Sequence, residues 1–137
     1  MDDLVQWLRA QLDEDEEIAL APTRATWASR EWSFSLVGDD PHVDLGTVHL
    51  DRVSSLNEAE MRHISRHDPA RVLRDISAKR EVLDFVERRL RDSAERDYLV
   101  NGPAKMALTA LDPVVRYLAT AYSDRPGYRE EWRPEPE

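Results

Sequence analysis

Along most of this chain, apolar residues return every three or four positions and charged residues fill the places between them. That spacing constrains the fold more than any other feature, because it makes a helix with one dry side and one wet side. Leu4, Val5, Leu8 and Leu12 form one such stripe, flanked by Trp7, and Asp2 and Asp3 lie where a helix start favours negative charge. The acidic run at 13–17 continues this helix as a solvated stretch, Ile18 and Ala19 return to the apolar face, and Pro22 marks its end. A longer stripe follows later: Val72, Ile76, Leu83, Val86 and Leu90, widened by Leu73, Val82 and Phe85. Asp84 with Arg88 and Glu87 with Arg91 stand four residues apart, which predicts ion pairs along that helix. With 34% of residues charged, such faces must coat the protein.

Between these stripes the period changes. Trp32, Phe34 and Leu36 alternate with Ser33, Ser35 and Val37, as a strand does. The turn residues at 38–41 lead to a second strand at 42–50, with Gly46 placed for a bulge. A lone hairpin is marginal in water, so it is expected to lie against the helices. A helix from Ser54 or Ser55 runs to about His67. The step Asp68-Pro69 then supplies an N-cap and a first-turn proline, which predicts a new helix at that point. Asn101-Gly102-Pro103 is expected to break the chain before a fourth helix containing Met106, Leu108, Leu111, Val115, Leu118 and Tyr122. Asp112-Pro113 predicts a kink or restart within it. The fold class is therefore α+β, mostly α: about four helices with one β-hairpin packed against them. Residues 1–123 read as a single helical domain with its hairpin at about 31–50, and residues 124–137 as an aromatic C-terminal tail.

A formal net charge of −9 repels phosphate backbones, so ordinary nucleic-acid binding is disfavoured. The arginines between 62 and 96 are interleaved with acids and read as a salt-bridged face. There is no cysteine, which excludes disulfides, zinc ribbons and thiol nucleophiles. The acidic start and the lack of a long apolar run predict no membrane association and a cytoplasmic location. Four scattered glycines write no phosphate-binding loop, and no nucleophile elbow accompanies the serines and histidines. No catalytic residue and no cofactor is assigned.

Three features invite a functional reading. Glu60, His63 and His67 fall along one side of a helix, and two imidazoles one turn apart are candidate metal ligands. The second half of a metal set is missing, so no bound metal is expected. The acids at 13–17 read either as a solvated face or as a phosphate mimic. Tyr128 and Trp132, four apart in the tail, are candidate partner-binding residues if exposed, or a cover for the core if folded back.

Two stretches carry a resemblance: His63-Ile64-Ser65-Arg66-His67-Asp68-Pro69-Ala70-Arg71-Val72-Leu73-Arg74, and Tyr122-Ser123-Asp124-Arg125-Pro126-Gly127-Tyr128-Arg129-Glu130-Glu131-Trp132-Arg133-Pro134. With the opening at 4–16 and Trp27, they resemble a family abundant in Streptomyces and actinobacterial phages, catalogued as domain of unknown function 6221. Arg125 and Ala121 stand where that family usually has His and Pro. The resemblance implies a host and a boundary but no activity. The reading is a non-enzymatic accessory protein of actinobacteria or their mobile elements that binds another protein. The alternatives are a metal-dependent enzyme centred on His63 and His67, and an acidic DNA mimic. The stripe from Pro69 to about 97 is wide enough for a homodimer through that helix.

Overall fold

The computed structural model describes residues 1–36, 41–50 and 56–135, with the side chain of His49 excepted. Among the described residues the α-helices are α1 (Asp2–Leu20), α2 (Glu58–Arg66), α3 (Pro69–Ser93) and α4 (Tyr98–Thr120). A small antiparallel sheet joins β1 (Ser33–Ser35), β2 (His42–Asp44) and β3 (His49–Leu50) in that order. The class is thus α+β and mostly α. The chain divides into two compact units, residues 14–76 and residues 1–13 with 77–137, and the divisions fall inside α1 and α3.

In the first of these units, Phe34 stands opposite Val43, and Val43 opposite Leu50. Val43 and Met61 are wholly buried, as α2 packs on β1 and β2. The second expected strand is divided, not continuous. Gly46, at φ +89°, turns the chain between β2 and β3, and the Asp44 carboxylate accepts from its N–H at 2.7 Å. A side-chain acceptor two residues back favours such a turn over a bulged strand. The expected turn at 38–40, together with Val37, Ser54 and Ser55, lies outside the described residues. Helix α2 starts at Glu58 because Asn57 caps it. The Asn57 side chain accepts from Glu60 N at 2.9 Å, and the Glu60 carboxylate accepts from Asn57 N at 2.8 Å.

The break before α3 is where the Asp-Pro step places it. Asp68 Oδ1 accepts from Arg71 N at 2.8 Å, the N-cap bond to the third helical residue, and Oδ2 accepts from Trp32 N at 3.1 Å. One carboxylate thereby starts a helix and anchors the approach to β1. Asp68→Ala is expected to lower stability by about 1–2 kcal/mol, somewhat more than a cap alone. Asp68→Asn should recover at least half, since the amide oxygen still caps; chemical denaturation with equal loss for both variants would refute the double role.

In the other unit, Leu4, Val5, Leu8 and Leu12 of α1, Leu83 and Val86 of α3, and Ala104, Val115 and Ala119 on the inner side of α4 are all buried. Arg9, the single base among the first 21 residues, donates to Asp84 and, through Nε at 2.7 Å, to Glu87. The acids expected to pair along α3 are instead clamped by a neighbouring helix. The Glu87 hydrogen bond, helped by Asp84, raises the Arg9 pKa above its usual value. A base with a raised folded pKa contributes stability below its unfolded pKa and loses it only as pH rises through the folded one. That window is strongly alkaline, so this guanidinium makes no pH dependence near neutrality.

Three expectations along α1 and α4 fail. Ile18 is 65% exposed while Ala19 is buried. The sequence Asn101-Gly102-Pro103 breaks nothing: α4 runs through it, capped by Asp97, whose carboxylate accepts from Leu99 N at 2.9 Å. Asp112-Pro113 starts no new helix either, because the Asp112 carboxylate is held by Arg116 Nε at 2.6 Å and is not turned to a cap. Pro103 and Pro113 both lie exposed on the outer side of α4, where the carbonyls they leave unbonded can reach water.

Candidate functional site

Helix α4 contains three charged residues in 23, Lys105, Asp112 and Arg116, in a chain that is one-third charged. Its inner side accounts for Ala104, Leu108, Leu111, Val115 and Ala119, spaced three or four apart. A second series has the same spacing: Leu99, Pro103, Met106, Ala110, Pro113, Tyr117 and Ala121, with Val114 beside Pro113. At 3.6 residues per turn this series lies opposite the first. Every member is exposed, with Leu99 at 82%, Met106 at 77% and Tyr117 at 60%. None is charged. Soluble proteins rarely leave an apolar strip of this length open to water, and such strips mark contact surfaces.

Its one charged border is already occupied. Arg116 donates to Asp112 and, at 2.6 Å, to the Glu131 carbonyl. Beside Tyr117 the strip runs into an open groove of about 700 Å³ lined by Pro113, Glu130, Arg133 and Pro134. There Arg133 donates to Glu130 at 2.8 Å and holds that carboxyl below its usual range. Arg133 and Glu130 thus satisfy one another.

The residues singled out in the sequence lie elsewhere. His63 and His67 do stack, with ring centroids 4.2 Å apart, beside a cleft of about 300 Å³ lined by Phe34, Arg62, Ser65 and Arg66. His67 Nδ1 is within 2.8 Å of the His63 carbonyl, and the Glu60 carboxylate is turned to the start of α2. Among the described residues no three His, Cys, Asp or Glu side chains are grouped to hold a metal. Of the acids at 13–17, Asp13 holds Arg80 at 2.6 Å and Glu17 holds Arg24 at 2.8 Å, and the three between them are engaged as well.

The tail folds onto α1. Trp132 is buried, its ring centroid 5.3 Å from that of Trp7 and 6.0 Å from that of Tyr128. Trp7 Nε1 donates to the Pro126 carbonyl at 3.2 Å, and Arg129 lies over the Trp132 ring at 5.0 Å. These aromatics are spent on internal packing in this arrangement. Sequence reasoning missed the outer face of α4 because it counts Met106 with the helix's other apolar residues, without separating two sides, and expects the helix after Pro103. The signal was present: a helix apolar on two opposite sides needs two neighbours.

A model described as "Family of unknown function (DUF6221)" matches residues 1–134. No curated protein and no solved structure matches the chain.

Proposed function

The chain belongs to this family of unknown function, and from that premise we propose that it works by binding protein through the outer face of α4. The observation that supports this is the uncharged, exposed strip from Leu99 to Ala121 in an otherwise heavily charged protein. It is a non-enzymatic accessory protein in this reading. The resemblance of its segments to proteins of Streptomyces and actinophages supports a host among actinobacteria or their mobile elements. No described helix is long and apolar enough to cross a membrane, which agrees with a cytoplasmic site of action.

The test is capture on immobilised protein from a host lysate that also contains untagged copies of the chain. A Leu99→Glu/Tyr117→Glu variant is expected to lose at least tenfold of any stoichiometric binder, because each substitution places a charge in the contact. An Arg62→Glu/Arg66→Glu variant on α2 should retain it. Equal capture by wild type and the α4 variant would overturn the reading.

A further inference from the structure

We propose that the occupant of this face is a second copy of the chain, paired antiparallel through α4 about a two-fold axis at Ala110. This inference rests on the protein-binding reading above and names its partner. The strip is self-complementary under that axis. Leu99 falls opposite Ala121 of the other copy, Pro103 opposite Tyr117, Met106 opposite Val114, and Ala110 opposite itself. At the outer levels a large side chain meets a smaller one, and at the centre two alanines allow close approach. A two-fold contact requires that kind of match, since residue i meets j and j meets i.

Size and charge agree with it. Residues 99–121 span roughly 33 Å at 1.5 Å per residue. Leu99, Met106, Val114 and Tyr117 leave on the order of 500 Å² in water between them. With the prolines and alanines of the strip, the area approaches the ~800 Å² per partner typical of a stable interface. Two chains of net charge −9 repel each other through most surfaces. This strip carries no formal charge, and Lys105, Asp112 and Arg116 project from one side of the helix, away from its centre line. It is therefore a place where two copies meet without like charges in contact. Salt should leave the pairing intact or tighten it by screening the residual repulsion, whereas binding to a basic partner would weaken.

The experiment uses light scattering and sedimentation of the full chain from about 1 to 300 μM, with single-cysteine crosslinking in a protein that has no cysteine of its own. A dimer is expected. Met106→Glu occurs twice in a two-fold pair and should weaken it at least 100-fold, while Ala78→Glu, an exposed site on α3, should not. Under oxidation Ala110→Cys should form a disulfide-linked dimer. Leu99→Cys should not link to itself but should link to Ala121→Cys when the two variants are mixed. A monomer throughout the concentration range, or self-linking of Leu99→Cys, overturns the proposal. A monomer whose α4 face still captures a different protein would overturn the second-copy assignment alone. Loss of all face-dependent capture would overturn the protein-binding reading itself.

Discussion

Replacing Gly46 by alanine is expected to destabilise the unit of residues 14–76 by about 2–4 kcal/mol, a large fraction of an ordinary domain's stability. Two costs add. The backbone at φ +89° lies where a side chain is strained. A Cβ there would also lie 2.6 Å from the Trp27 carbonyl oxygen and 2.9 Å from Ser29 N, both backbone atoms. Trp27 is itself at φ 68°, uncommon for a residue with a side chain, so its carbonyl cannot move aside without further strain. Gly102 supplies the opposite control. It lies inside α4, and the nearest atom to an added Cβ is in the Tyr98 ring at an ordinary 3.5 Å. Gly102→Ala should therefore stabilise by about 0.5–1 kcal/mol. Denaturant titrations of the two variants decide the matter: a Gly46→Ala loss below 1 kcal/mol would mean that the turn between β2 and β3 is not as described.

Trp132→Ala should cost about 3–5 kcal/mol, the usual range for deleting a buried tryptophan. The ring is 7% exposed and contacts both Trp7 and Tyr128, so its loss opens a cavity against α1 and frees the groups that hold the tail. Trp132→Phe should recover at least half. The Tyr128 hydroxyl is buried without a hydrogen-bond partner among the described residues. Tyr128→Phe is accordingly a milder probe of the cluster than either alanine variant. A Trp132→Ala protein with wild-type melting behaviour would show that the tail does not dock.

Much of the fold could be read from short-range features. Asp68-Pro69 divides α2 from α3 because a carboxylate and a missing N–H act within one turn, whatever lies beyond. The Asn57–Glu60 capping box obeys the same logic and starts α2 at Glu58, later than the apolar spacing from Ser54 or Ser55 suggests. Alternation at 32–36 announced a strand, and the alternating apolar residues at 42–50 were right in kind. Their division by Gly46 depended on the Asp44 side chain and on the approach of Trp27, which no periodicity encodes. The candidate site was less accessible. His63 and His67 come together as helical spacing dictates, yet the His67 ring nitrogen and the Glu60 carboxylate, the candidate ligand groups, are turned to backbone groups.

The sequence by itself determined the helical stretches, the break between α2 and α3, the presence of strands and the charge that coats the surface. Each follows from contacts within a few residues, where propensity, capping and amphipathic spacing act locally. Only the tertiary structure decided which partner each group takes. Arg9 draws Asp84 and Glu87 away from the pairing that their spacing along α3 suggests, and Trp132 closes on Trp7. Helix α4 has two apolar sides of equal spacing, and nothing local distinguishes them. The side bearing Ala104, Val115 and Ala119 is the one buried, because only one side of a helix can face the core of its unit, and Leu99, Met106 and Tyr117 are left outside.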